Sequence, residues 1–565
     1  MMNDIKTFAD TPQGYRGGVR RLTSRLWRSS NLRASAILFC ILFSLLLADR
    51  LSFAHSFSII AWNGWALIFY ATFMFALFGL LPLLLLGRYS RIVYATILPL
   101  GLVLVSLEWF VRANFDMILT GSWVGMFFAS SPDELRWFFR HYLTIESCVG
   151  IAGVLLACAC LAFCSRCVRK ASASRTTIAL ALFVCVFSVA MNSLPKASFT
   201  NKFGSFPGLA LIPDSIERFS QQRRLARMMN SPQLPQALRL AQNNGQAPVG
   251  VFVLGESATR NRWSLYGYSR PTTPEMDLIR SELVVFGDLL TTASMTCDAM
   301  RALFTTQKLE DRNDLRFSMT QVLKKCGVRA ALYSKHGRWD SWSSDETFSF
   351  AGCDSFVCMN EQGETNKLDG VVLKYLQRSL DAAKGDEVVF LHLFGSHMDF
   401  TNYPRNEAPF GSDDGKGDVM QAVAPSDRYD NTIWYTDKIL GEVVRKLKAL
   451  HKPTWMIYVS DHGETPSSKR WRTATDNDLW EIPFVVWTSP EFDAAYPERV
   501  AALRRAKDKP LQSDQLLYGL LRFMGVEGLG NAPEEDFLSD AFKPRTPRLI
   551  LGGGAIYDPN VPRRD

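Results

Sequence analysis

Long apolar runs fill this chain up to about residue 195, and they restrict its architecture more than any other feature. A helix needs about 20 predominantly apolar residues to cross a bilayer. Runs of suitable length lie near 34–52, 62–87, 92–112, 147–165 and 175–193, which predicts five transmembrane helices within 34–193. The first run, "ASAILFCILFSLLLA", lacks a small-residue cleavage site and is followed by further runs, so it reads as an anchor and not as a removed signal peptide.

The placement of basic residues sets the orientation, because short cytoplasmic loops collect Lys and Arg. Lys6, Arg16, Arg20, Arg21, Arg25, Arg28 and Arg33 precede the first run. Arg88 and Arg91 separate the second and third, and Arg166, Arg169, Lys170 and Arg175 separate the fourth and fifth. Residues 1–33 and these loops are therefore expected in the cytoplasm, and an odd number of spans delivers everything after about 195 to the opposite side. The 113–146 loop, with "GSWVGMFFASSPDELRWFFRHYL", suits an interfacial helix at the lipid boundary or a loop packed on the exported part. The net charge of +8 is accounted for in part by the cytoplasmic arginines, and no nucleic-acid-binding module is visible.

Cysteine use follows the same division. Seven of the 11, Cys40, Cys148, Cys158, Cys160, Cys164, Cys167 and Cys185, lie in or beside the apolar runs, where a thiol serves as a small apolar side chain. Cys297, Cys326, Cys353 and Cys358 fall in the exported part, an even number in a compartment that permits disulfides. The expected pairs are Cys353 with Cys358 and Cys297 with Cys326.

Residues 194–247 mix Pro, Gln, Asn and Arg without a long apolar face and read as a linker. From 248 to 565 the pattern becomes that of a separate domain. The runs "VGVFVLG", "VVFGDLLTT", "RAALYS", "EVVFLHLFG", "TWMIYVSDHG" and "IPFVVW" alternate with amphipathic segments. That alternation predicts an α/β domain with a mostly parallel sheet flanked by helices.

Ligands of such sheets gather beyond the carboxyl ends of the strands. There the sequence places Gly255-Glu256-Ser257, then His392 and His397, then Asp461-His462-Gly463-Glu464. A carboxylate, an Asp-His pair and further histidines are the donors of a zinc site with oxygen-rich ligands. The chain has only 7 histidines, and three of them sit at these predicted strand ends.

These motifs resemble the membrane-anchored phosphoethanolamine transferases of Gram-negative bacteria, within the alkaline phosphatase and sulfatase superfamily. The resemblance spans nearly the whole chain: the five-run anchor, "GESATRNRWSLYGYSRPTTPEMD", "HLFGSH", "RYDNTIWYTD" and "YVSDHGE" occur in that family's order. It implies an alkaline-phosphatase-like fold and a multi-pass protein of the bacterial inner membrane with a periplasmic catalytic domain. The hydroxyl-rich stretch "TTASMTCDAMRALFT" then has a place, because the family's nucleophile is a threonine after the second strand, which falls on Thr296. The resemblance further implies a zinc ion held by Glu256, Thr296, Asp461 and His462, phosphatidylethanolamine as donor, and an acceptor in lipopolysaccharide or periplasmic glucan. His397, with His392 beside it, is implied to bind the phosphoryl group or to protonate a leaving oxygen.

Some positions depart from the lipid A branch. That branch has a further histidine shortly after Asp-His-Gly, whereas "ETPSSKRWRTATDNDLWEIPF" contains none, which withdraws support for a second, substrate-side zinc. "SLYGY", and a single cysteine beside Thr296, look more like the branch that modifies core oligosaccharide or periplasmic glucans. Lys469, Arg470 and Arg472 suit phosphorylated sugars or a solvated loop. Three rival readings are glycerol-phosphate transfer, a catalytically inactive envelope scaffold, and a sulfatase, in which Cys297-Asp298-Ala299-Met300-Arg301 would carry formylglycine at Cys297. Sulfatases place paired aspartates after the first strand to suit calcium, while Glu256 and His462 suit zinc better.

Overall fold

A computed structural model describes residues 223–241, 247–311, 314–336, 349–359, 368–397, 399–411, 419–466, 476–530, 533–550 and 555–561. They belong to the compact unit Glu217–Asp565. The five apolar runs, the 113–146 loop and Lys469, Arg470 and Arg472 lie outside the described residues. Among the described residues no helix is long and apolar enough to cross a membrane.

The six apolar runs all become strands of one 7-stranded sheet. In chain order its strands are β1 (Val249–Gly255), β2 (Leu283–Phe286), β3 (Arg329–Ser334), β4 (Ser355–Cys358), β5 (Glu387–His392), β6 (Thr454–Ser460) and β7 (Phe484–Thr488). Across the sheet they run β2-β7-β6-β1-β5-β3-β4. Pairings from β6 through β4 are parallel. β7 opposes both of its neighbours, so the sheet is mixed at that edge.

Period-two geometry sorts each central strand between two cores. From β1, Val249, Val251 and Val253 enter one cluster, with Leu376 and Leu380 of α3 (Val372–Ala382) and Tyr429, Ile433 and Leu440 of α4 (Pro425–Lys448). Phe252 and Leu254 enter the other, with Met300 and Phe304 of α1 (Thr296–Phe304) and Val322 of α2 (Met319–Lys325). Helices therefore cover both faces, and a strand buried on both sides must read as a continuous apolar run. Local signals set the helix starts: Ser318 and Gln321 form a capping box before α2, and Pro425 opens α4.

Part of the 194–247 stretch is built into this unit. Leu225 and Met228 are buried, Gln321 donates to the Met228 carbonyl at 3.0 Å, and Arg239–Leu240 pairs with Val526–Glu527.

The expected disulfides are not present: Cys297, Cys326, Cys353 and Cys358 are all thiols. Cys358 closes β4 while Cys353 precedes it, so the extended strand alone separates them by roughly 10 Å. That exceeds the roughly 7 Å limit for a bridge. Cys297 stands beside Thr296 at the carboxyl edge of the sheet. Cys326 is the C-cap of α2, just ahead of Arg329, where β3 begins at the opposite edge.

Candidate active site and metal centre

Register aligns the strand ends that build the site. Gly255 pairs with Ser460 and Leu254 with His392, which in turn pairs with Ser334. Glu256, Asp461 and the residues following Ser334 and His392 consequently emerge along one edge.

The chain leaves β1 through Ser257, whose φ of 57° lies in the left-handed region. Such backbone persists only when neighbours over-determine it, and here several do. The Ser257 N–H donates to Asp461 Oδ1 at 3.0 Å, its hydroxyl to Glu256 Oε1 at 2.7 Å, and the Tyr429 hydroxyl to its carbonyl at 2.7 Å. Tyr429 also accepts from the Thr259 N–H at 2.9 Å, and burial raises its pKa well above the ordinary value, so the phenol remains a donor. Tyr429→Phe is expected to leave a buried carbonyl and a buried N–H without this hydroxyl. Each costs about 1–3 kcal/mol, and the sign is checked by a lowered midpoint of thermal unfolding.

Asp461 and His462 follow β6. Asp461 Oδ1 accepts from the N–H groups of Ser257, at 3.0 Å, and His462, at 2.6 Å. Its Oδ2 is buried with no hydrogen-bond partner, 3.3 Å from His462 Nε2. His462 Nδ1 lies 2.9 Å from the Gly463 carbonyl, which can only accept, so Nδ1 carries the proton and Nε2 presents a lone pair. Gly463 is required for this turn: a Cβ there would fall 1.8 Å from the Asp478 carbonyl oxygen.

Nε2 of His462 thus faces Glu256 Oε1 at 3.4 Å and Asp461 Oδ2 at 3.3 Å. Two carboxylates and an imidazole lone pair repel one another at this range unless positive charge lies among them. Their separations match the roughly 3.3 Å between donors around a tetrahedral ion with bonds of about 2.0–2.1 Å. All three residues are buried, with ligand atoms mutually within 4.8 Å. The donor set fits a divalent cation.

Thr296 is the first residue of α1, and its N-cap, Met295, supplies no side-chain cap. The positive end of the helix therefore opens toward the cluster, an arrangement that favours phosphate. Thr296 Oγ1 lies 3.1 Å and 3.3 Å from the two Glu256 oxygens and 3.4 Å from His462 Nε2. Other hydroxyls of the same stretch are engaged elsewhere. Thr291 donates to the Asp461 carbonyl at 2.7 Å, Thr292 meets Ser513 at 3.4 Å, and Thr305 donates to the Arg301 carbonyl at 2.6 Å.

The histidines lie on the other flank of Glu256. His392 ends β5, and His397 sits on a loop whose Phe394 and Gly395 N–H groups donate to buried Asp369 at 2.9 Å and 2.8 Å. The same loop is tied to Glu256 itself, because the Ser396 N–H donates to the Glu256 carbonyl at 3.0 Å. A residue that the sequence reading did not assign joins them: His336, buried, stacks on His392 with ring centroids 4.1 Å apart and meets His397 edge-on at 6.1 Å. It follows the end of β3, so the strand-end rule that flagged the other three histidines also applies to "RAALYSKH".

The family model described as Sulfatase matches residues 248–526. This chain carries a sulfatase-family domain. Its place in the alkaline phosphatase and sulfatase superfamily accounts for the mixed sheet with its site at the carboxyl edge. Phosphoethanolamine transferase EptC of Escherichia coli (strain K12) is 26% identical over 349 residues, covering 58% of this chain and 59% of that protein. Phosphoethanolamine transferase CptA of Salmonella typhimurium is 27% identical over 335 residues, covering 55% of this chain and 57% of that protein. The chain thus spans less than two thirds of the length of these curated relatives. Among solved structures, the integral membrane protein lipooligosaccharide phosphoethanolamine transferase A of Neisseria meningitidis matches with a TM-score of 0.67 at 19% identity. That match covers 91% of this chain and 98% of that one. At such identity the likeness establishes the fold of the sulfatase-family domain and not its substrate.

Proposed function

We propose that this protein transfers phosphoethanolamine from phosphatidylethanolamine to a cell-envelope glycan, in lipopolysaccharide core or lipid A or in periplasmic glucan. The observation that carries the reading is the position of Thr296: a helix-N-terminal hydroxyl in contact with both Glu256 and His462 of a buried cation-binding cluster. Relatives named as phosphoethanolamine transferases support it. Glu256, Thr296, Asp461 and His462 would hold zinc, which supplies Lewis acidity that makes an alkoxide accessible near neutral pH and offsets charge on phosphoryl oxygens.

The chain's own residues account for the rest. Thr296 Oγ1, ionised with its proton passing to solvent water, attacks phosphorus. The P–O bond to diacylglycerol breaks, leaving phosphoethanolamine esterified to Thr296. The α1 N–H groups face the oxygens where negative charge develops. His397 protonates the departing oxygen, with His392 behind it, and an acceptor hydroxyl then displaces Thr296 to restore the enzyme. The five apolar runs would anchor the catalytic domain on the periplasmic face of the inner membrane, beside its lipid donor. Direct contact of the Thr296 oxygen with Glu256 and His462 favours threonine as nucleophile over formylglycine at Cys297.

Mass spectrometry of lipopolysaccharide and periplasmic glucans from cells with and without the gene tests the reaction. A phosphoethanolamine increment that depends on the gene is expected on one of these glycans. A glycerol-phosphate increment in its place, or unchanged masses in both, would reject it.

A further inference from the structure

His397 is carried by a loop whose backbone is strained and pinned from several sides. Gly395 has a φ of 52°, and Phe400, which is not a glycine, a φ of 54°, both in the left-handed region. At Gly395 the loop also passes so close to the end of β1 that a Cβ would fall 2.8 Å from the Glu256 carbonyl oxygen. Backbone of this kind keeps its shape only while its neighbours over-determine it. Some ties are local or reach α4: the His397 N–H donates to the Phe394 carbonyl at 3.2 Å, and the Ser396 and Thr432 hydroxyls meet at 2.7 Å. The central tie is Asp369, 1% exposed, which opens the turn Asp369–Val371 ahead of α3. One of its oxygens accepts from the Phe394 N–H, and the other from the Gly395 N–H and the Asn402 amide. Asn402 in return accepts from the Asp369 N–H at 3.2 Å. Both ends of the loop thus meet on one buried carboxylate, with His397 between them.

We propose that Asp369 is a positioning residue for the transfer: through the loop it anchors, it sets where His397 presents a proton to the departing oxygen. The inference deepens the transferase reading above and rests on it. Three N–H donors shared between two oxygens require an acceptor at both, which a carboxylate supplies and an amide does not. In Asp369→Asn one donor of the loop would therefore face an NH2 group, and a strained loop so released must move. Displacing a reacting group by about 1 Å costs about 100-fold. His397 matters to the first step only as far as the departing oxygen needs a proton, so the loss should follow the leaving group.

The test compares two donors on the full-length, detergent-purified protein, by the rate at which Thr296 is esterified in a single turnover, followed by intact mass. Phosphatidylethanolamine expels a diacylglycerol oxygen, which gains a proton as the P–O bond breaks. The p-nitrophenyl ester of phosphoethanolamine expels nitrophenolate, which leaves as the anion and needs none. Asp369→Asn should slow esterification by phosphatidylethanolamine about 100-fold. With the nitrophenyl ester it should stay within about threefold of wild type, since a leaving group of low pKa gains little from a general acid. Asn402→Ala, which keeps the carboxylate but frees the far end of the loop, should show a selective loss in the same direction, and it carries the test if Asp369→Asn does not fold. Equal losses with the two donors, the mark of a generally loosened site, or no loss with either, overturn the positioning role and leave the transferase reading standing. A wild type that phosphatidylethanolamine does not esterify overturns both.

Discussion

Thr296→Ala is expected to abolish the covalent intermediate and to lower turnover by roughly 1,000-fold or more, the scale on which loss of a nucleophile acts. Alanine removes both the attacking oxygen and the contacts that Thr296 makes with Glu256 and His462. Thr296→Ser should keep measurable turnover. The oxygen remains, but the methyl group that restricts its rotamer is lost. Cys297→Ser should stay close to wild type, because Cys297 is a thiol in this fold and no cross-link is at stake. Intact-mass analysis after incubation with phosphatidylethanolamine reads the intermediate directly, and a transfer assay reads turnover. An active Thr296→Ala that carries formylglycine at position 297, beside an inactive Cys297→Ala, would discard the transferase mechanism in favour of the sulfatase one.

Asp461→Asn should remove both bound metal and transfer while the protein still folds. The amide oxygen can go on accepting from the Ser257 and His462 N–H groups, so the turn after β6 keeps its hydrogen bonds. What disappears is the negative charge on the second oxygen, which faces His462 Nε2 and has no hydrogen-bond partner. Stability of the sheet comes from the two apolar cores, which contain no member of this cluster. Elemental analysis should find the variant depleted of zinc, with transfer down by at least about 100-fold, the scale reported for altered metal shells. Wild-type transfer by a metal-depleted variant would rule out the shell as the catalytic unit.

The sheet was largely legible because its central strands are buried on both faces, which forces continuous apolar runs such as "VFVL" and "WMIYV". β4, "SFVC", escaped notice: it is an edge strand of four residues, mostly half-buried, too short for a periodic signal. Opposition of β7 to its neighbours was not legible either, since "IPFVVW" looks the same in either direction. For the site, the strand-end rule located Glu256, His392, Asp461 and His462, but choosing Thr296 among neighbouring hydroxyls needed the family resemblance. His336 was passed over because its strand, "RAALYS", carried no adjoining motif. The cysteine pairs failed because sequence spacing does not reveal which edge of a parallel sheet a residue occupies.

Glu256, Asp461 and His462 are 1%, 2% and 0% exposed, whereas Thr296 is partly exposed. Of these four residues the threonine is the one that solvent reaches. The residue that would carry the transferred group is thus the outermost member of the cluster, and esterification of its oxygen would add cover over the three buried side chains. On the proposed mechanism a chelator would then strip metal more slowly from the esterified protein than from the resting one, so an abundant lipid donor would itself protect the site.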